Sequence, residues 1–159
     1  ETLSDIPEVW IANYNCPGQI VISGKKEAVE AAAEALKARG IKRVLMLNVS
    51  GPFHSGLLRE AGEALGKVLA ETEIHPLRIP YYANVTGDIV EDAAKVRGLL
   101  TEQVYSSVRF EQSIRNMLSA GVDTFYELGP GKTLAGFVKK IDREATVVNI
   151  ETMEDLAKI

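Results

Sequence analysis

The stretch TFYELGPGKTLAGFVKKI, Thr124–Ile141, followed by TVVNI at Thr146–Ile150, decides the fold class. Thr124 to Leu128 is a short β-rich run that ends in Gly129-Pro130-Gly131, residues that punctuate chains at turns. Thr133 to Ile141 then reads as a helix, and Thr146 to Ile150 as a second strand. Strand, turn, helix and strand in that order, repeated elsewhere in the chain, indicate an α/β architecture with parallel pairing.

Working back from this unit, Phe110–Ala120 and Asp92–Val104 read as helices, the first of them ended by Gly121, and Ile79–Val85 as an extended segment. Gly56–Glu71 has the apolar spacing of an amphipathic helix. Ser55 stands as its cap, and Leu57, Leu58, Ala61, Leu65, Val68 and Leu69 form its buried face. Nearer the N-terminus, Glu8–Asn13 and Gln19–Ser23 are β-rich runs separated by Tyr14-Asn15-Cys16-Pro17-Gly18. Lys25–Arg39 is the clearest helix, with Ala28, Val29, Ala32, Ala35 and Leu36 at three- and four-residue spacing and Gly40 at its end. Lys42–Val49 returns as a strand. Strand, strand, helix, strand is what remains of a βαββαβ unit once its first strand and helix are removed. No repeat or low-complexity tract interrupts the chain.

Composition narrows the function. The chain has 159 residues, 46% of them hydrophobic, enough for one or two compact units with a core. A net charge of −4 gives no basic field, which argues against nucleic acid as a partner. The single cysteine, Cys16, excludes an internal disulfide and fits a reducing, cytoplasmic compartment. No run approaches the ~18 apolar residues of a membrane helix, and the N-terminus lacks the pattern of a signal peptide. It also begins without Met, as a segment of a longer protein would.

The chemistry centres on NVSGPFHSGLL, Asn48–Leu58, which sets His54 between a Gly-Pro turn and a helix start. An imidazole accepts and returns a proton near neutrality. For a lone histidine a turn-capping role is the commoner one, but a rigid turn after an apolar strand is where α/β active sites gather. His75, in the polar stretch EIHPL, reads as a surface residue. A base needs a nucleophile, and none of the eight serines lies in a G-x-S-x-G elbow. Ser50 and Ser55 neighbour His54 without implied attack geometry, and nothing near Cys16 points to an activated thiol. Gly129-Pro130-Gly131-Lys132-Thr133 lacks the spacing of a nucleotide phosphate loop, although the helix start that follows favours an anion. Lys139, Lys140 and Arg143 make a basic helix end, and Lys42 with Arg43 a second basic pair. Such clusters are usually solvated, and a minority dock acidic partners. Two distant histidines and one cysteine give no metal-ligand spacing.

Four stretches in order, IANYNCPGQIVISG, VSGPFHSGLL, EQVYSSVRF and YELGPGKTLAGFVKKI, strongly resemble the malonyl-CoA:acyl carrier protein transacylases of fatty acid synthesis. The resemblance spans nearly the whole chain and implies the C-terminal part of an α/β-hydrolase-like acyltransferase domain plus an incomplete ferredoxin-like small subdomain. Residues 1–49 would belong to the small subdomain and 50–159 to the large one. The nucleophile elbow and the arginine that pairs with the malonyl carboxylate would lie in the other half, which accounts for a histidine without a serine. His54 matches the family's catalytic base, and Gln103 the residue whose main-chain carbonyl orients it. Phe53 matches a position that selects malonyl over methylmalonyl, and the residue before it, often Ala in the family, is Pro52. Asn13, Asn15 and Gln19 match positions lining the pantetheine cleft. Lys42 and Arg43 match basic residues near the CoA phosphates. That surface, with Lys139, Lys140 and Arg143, would receive an acidic carrier protein. The implied substrate is malonyl-CoA, with no bound cofactor, metal or membrane. The implied partners are acyl carrier protein and either the missing half or a second copy. An acyltransferase domain of a polyketide synthase is the near alternative, although the stop at LAKI without linker composition favours a stand-alone enzyme. A non-catalytic fragment binding CoA or a carrier protein is the alternative of a different class.

Overall fold

The computed structural model describes residues 3–158. Its C-terminal unit consists of β5 (Thr124–Leu128), α5 (Thr133–Ile141) and β6 (Thr146–Ile150), bounded as the sequence predicts. The two strands pair in parallel from Thr124–Thr146 to Leu128–Ile150, with α5 as the crossover. The turn needs glycine at both ends, because Gly129 and Gly131 take φ of +126° and +90°. Ile114, Val138 and Ala145 are the buried centre, packed with half-buried Phe110, Phe125, Ile141 and Val147. Phe110 meets Phe137 edge-on, with centroids 6.0 Å apart. Here α5 lies on α4 (Phe110–Ser119), and both pack against β1 (Val9–Cys16).

β1 and β2 (Gln19–Gly24) form an antiparallel hairpin, turned at Pro17-Gly18 with Gly18 at φ +77°. The register slips between Ile11 and Asn13, so Ala12 bulges from the ladder. α1 (Lys26–Ala38) buries Ala32 and Ala33, and Gly40 ends it at φ +88°.

The strand expected over Lys42–Val49 is absent. This segment has no regular structure, and Ile41, Leu45, Met46, Leu47 and Val49 are exposed. A strand exists only against a ladder partner. In a βαββαβ sheet the last strand pairs with the first, and no such strand lies among the described residues. The run therefore keeps the composition of a buried strand and an apolar face of the kind that marks an interface.

The expected helix over Gly56–Glu71 starts with a single 3-10 turn, Gly56–Leu58, before α2 (Arg59–Glu71). Its buried face is narrower than predicted. Leu57, Ala61 and Val68 are exposed, while Leu58, Leu65 and Leu69 are half-buried around the buried Gly62. The cause is α2's packing on α3 (Val96–Glu102): a Cβ on Gly62 would lie 2.6 Å from the Tyr105 ring, so the contact follows the glycine edge. α3 likewise opens with a 3-10 turn at Ala93–Lys95, capped by Asp92. The extended segment Ile79–Val85 shrinks to β3 (Tyr81–Tyr82), paired antiparallel with β4 (Ile89–Val90). β4 and the terminal α6 (Met153–Leu156), closed by a Thr152–Asp155 capping box, have no counterpart in the sequence reading.

Candidate active site

His54 sits in the left-handed region, at φ +56°, where a residue with a Cβ is rarely found. Two contacts hold it there. The Ser55 hydroxyl donates to the Pro52 carbonyl at 2.6 Å and is fully buried. Behind it, Gly56 lies so close to the Trp10 indole that a Cβ would come within 2.7 Å of Cζ2. Ser55 thus closes the turn on its upstream side and does not cap the helix, contrary to the expectation above.

The imidazole faces the loop that follows α3. Its Nδ1 lies 2.9 Å from the Gln103 carbonyl oxygen and 3.2 Å from that of Ser106. Carbonyls only accept, so Nδ1 carries the proton and donates to both. That leaves Nε2 with a free lone pair, the tautomer a proton acceptor requires. The loop in turn is stitched to β1. Val108 donates its amide to the Ala12 carbonyl and Tyr14 its amide to that of Val108, each at 2.8 Å, and the Ser107 hydroxyl donates to the Ile11 carbonyl at 2.5 Å. Arg109 ties the same loop to the β3–β4 hairpin, its amide donating to Asn84 O and its Nε to Val85 O. A cavity of about 430 Å³ opens beside His54, walled by Trp10, Ile11, Arg59, Tyr105, Ser106 and Arg109 among others. The Arg59 guanidinium stacks 4.6 Å from the Tyr105 ring centroid.

The structure brings His54 and Gln103 together, with Phe53 next in sequence and more than half exposed at 54%. Asn13 and Asn15 lie on β1 and Gln19 at the start of β2. Asn13 bridges to Val108 of the orienting loop, and Gln19 Oε1 accepts from Cys16 Sγ at 3.6 Å. Lys42 and Arg43 stand exposed on the irregular segment. Cys16 is free and buried at 2% exposure, away from the cavity wall, and Ser55 has its proton committed. His75 is exposed, 3.5 Å from the Glu73 carboxylate. Sequence reasoning missed Ser106, which acts through its main-chain carbonyl, Trp10, which acts through packing, and Ser107 and Arg109, whose side chains donate to main-chain carbonyls distant in sequence.

The start of α5 favours an anion as the sequence suggests, and the anion it holds is the chain's own Glu127 carboxylate. Glu127 Oε1 accepts from the Leu134 amide at 2.9 Å, and Oε2 from the Ala135 amide at 2.8 Å and the Asn149 side chain at 2.7 Å. Burial alone would push this carboxyl's pKa up. The two amides and Asn149 outweigh that and hold it below the usual carboxylate range. At the other end of α5, Lys139 donates to the Arg143 carbonyl. Among the described residues no group of three His, Cys, Asp or Glu side chains is placed to hold a metal, and no helix is long and apolar enough to cross a membrane.

A parallel β-α-β unit, and an imidazole fixed on the turn that enters the Gly56–Leu58 3-10 helix with Nε2 bare, fit the acid–base part of an α/β acyl-transfer site. The chain belongs to the acyl transferase domain family, whose sequence model matches residues 1–155. It is 46% identical over 148 residues, 93% of its length, to the malonyl CoA-acyl carrier protein transacylase of Bacillus subtilis, and covers 47% of that protein. The solved structure of MCAT from Streptococcus pneumoniae matches 98% of the chain with a TM-score of 0.93 at 42% identity. A malonyl-transacylase in complex with a type II polyketide acyl-carrier protein matches 99% with a TM-score of 0.94 at 34% identity. The α/β acyltransferase fold is thereby shown. The chain spans about half the length of the relatives it matches, 47% of the first and 51% and 52% of the two structures.

Proposed function

We propose that this chain is the C-terminal half of a malonyl-CoA:acyl carrier protein transacylase and supplies its acid–base histidine. The observation that carries this reading is the double acceptance of the His54 Nδ1 proton by the Gln103 and Ser106 carbonyls. Nε2 takes the proton of a serine hydroxyl, contributed by the upstream half, as that oxygen attacks the malonyl thioester carbonyl. Collapse of the tetrahedral adduct breaks the C–S bond, and the imidazolium returns the proton to the CoA thiolate. In the second half-reaction Nε2 takes the proton of the carrier's phosphopantetheine thiol. The thiolate attacks the malonyl-serine ester, and the proton goes back to the serine oxygen. Neutral carbonyls in place of a carboxylate fix the tautomer while stabilising imidazolium less than an aspartate does.

Phe53, beside the base, crowds an α-methyl and favours malonyl over methylmalonyl, a discrimination of about 1–3 kcal/mol. Asn13, Asn15 and Gln19 line the path of the pantetheine arm, and Lys42 with Arg43 pair with CoA phosphates. Lys139, Lys140 and Arg143 add to a basic surface for the acidic carrier. Residues 1–49 form the partial ferredoxin-like subdomain and 50–159 the larger one, with β1 at the seam. A buried free thiol at Cys16 agrees with a cytoplasmic setting.

The test is transfer of labelled malonyl from malonyl-CoA to holo-carrier protein, by the chain alone and mixed with the upstream half, with His54→Ala as control. Transfer only in the mixture, lost with His54→Ala, is the expected result. Transfer by the chain alone, or its survival in the His54→Ala mixture, overturns the reading. Because one structural relative was solved with a polyketide carrier, both fatty acid and polyketide carriers are tested as acceptors.

A further inference from the structure

We propose that Ser107 is a positioning residue for this site: its hydroxyl pins the carbonyl platform that holds the His54 imidazole. The proposal rests on the reading of His54 as the acid–base group. The Ser106–Ser107 peptide has its carbonyl on one side, 3.2 Å from His54 Nδ1. One residue on, the Ser107 hydroxyl donates to the Ile11 carbonyl at 2.5 Å, at the short end for a hydroxyl donor.

The flanking main-chain anchors lie outside this peptide. On the N-terminal side the Tyr105 amide bonds to the Glu102 carbonyl, and on the C-terminal side the Val108 amide bonds to that of Ala12. Between them the Ser106 and Ser107 amides have no intramolecular acceptor among the described residues. Apart from the His54 N–H itself, the Ser107 hydroxyl thus makes the only hydrogen bond from Ser106 or Ser107 among the described residues, and it opposes rotation of the peptide presenting the second acceptor. Its target lies beside the β1 bulge, between the pairs Ile11–Ile22 and Asn13–Val21. The same bond therefore couples the strand carrying Asn13 and Asn15 to the loop that orients the base. Although Ser107 lines the cavity beside His54, its proton is committed to Ile11, which suits a tether better than a nucleophile.

Without the tether the Ser106 carbonyl swings away, and Nδ1 keeps only the Gln103 acceptor. The imidazole then samples other orientations and the Nε2-protonated tautomer, which is useless as a base. The experiment compares ring 15N spectra of His54 in the wild-type chain, Ser107→Ala and Ser107→Thr, at about pH 8.5, well above the ~6.5 of an ordinary imidazole. The wild type and Ser107→Thr are expected to show the Nδ1-protonated form, and Ser107→Ala a mixture. In the mixed-halves transfer assay Ser107→Ala is expected to lower kcat roughly 10-fold, within the ~100-fold that a misplacement of about 1 Å costs. KM for malonyl-CoA should stay within about twofold, since the loss lies in the chemical step. Ser107→Thr should restore kcat.

A wild-type tautomer and kcat in Ser107→Ala overturn the proposal, even if thermal stability falls, because the hydroxyl would then only hold the loop to β1. Persistence of transfer in His54→Ala would instead defeat the reading of the base, while the tautomer comparison still decides the role of Ser107.

Discussion

Replacing Glu127 by Gln asks whether a carboxylate, and not merely an acceptor of that shape, holds the start of α5. Three donors converge on its two oxygens: the amides of Leu134 and Ala135 and the side-chain nitrogen of Asn149. A glutamine amide offers one oxygen and one NH2, so one position turns a donor towards donors. Losing a side-chain cap costs about 1 kcal/mol. Removing the charge from a helix N-terminus costs about 0.3–1 kcal/mol more, and the partial exposure of Glu127 keeps that contribution from its upper range. The sum is about 1.3–2 kcal/mol. For a chain of this size each kcal/mol moves Tm by about 2–4 °C, so Glu127→Gln should melt roughly 3–8 °C lower near neutrality.

The pH dependence fixes the sign. The folded-state pKa of Glu127 is depressed, since the three donors outweigh the opposing effect of burial. Its stabilisation is therefore fully present above the unfolded value of about 4.3 and lost as pH falls through the folded value. Thermal melts followed by far-UV circular dichroism at about pH 7 and about pH 3 should show a gap between wild type and variant that closes in acid. A gap of the same size at both pH values would refute the reasoning, since the protonated side chain would then hold α5 as well as the carboxylate. So would the absence of any gap at neutrality.

Two further substitutions test the packing around the site. Gly56→Ala places a Cβ 2.7 Å from Trp10 Cζ2 and 3.0 Å from Cε2, so the only tryptophan of the chain must move. A changed emission of Trp10 and a transfer rate of the mixed halves lowered roughly 10-fold are expected; unchanged emission and rate would show that the indole does not buttress the histidine turn. Tyr81 has a buried hydroxyl without a partner among the described residues, and burial raises its pKa. Tyr81→Phe should leave the urea midpoint unchanged or raise stability by up to about 1 kcal/mol, and a loss larger than that would mean that the hydroxyl is satisfied.

The limits of β5, α5 and β6 are legible in the sequence because each is punctuated locally, by Gly129 and Gly131 and by the change of hydrophobic period. Lys42–Val49 has an equally good strand composition and forms none, because pairing is a property of two segments and no partner strand lies among the described residues. The width of α2's buried face was misjudged for a related reason. Periodicity gives the direction of an apolar stripe, while its extent is set by the neighbour, in this case Tyr105 against Gly62. Glu127 could be read as a polar residue in a strand, but its capping of Leu134 and Ala135 spans a turn whose geometry the glycines determine.

The site divides along the same line. A histidine on a Gly-Pro turn is visible as a candidate base, but the groups that make it one are main-chain carbonyls, which any residues at 103 and 106 would supply. No side-chain pattern announces them, so Gln103 was reachable only through resemblance and Ser106 not at all. What the structure adds is that the posture of His54 is built entirely from this chain. A left-handed backbone at a non-glycine residue costs about 1–3 kcal/mol and persists only where its surroundings over-determine it. Ser55 buried on Pro52, Trp10 over Gly56 and two carbonyls on Nδ1 are such surroundings. On the function proposed above, an upstream half would then have to bring a hydroxyl to Nε2 without turning the imidazole.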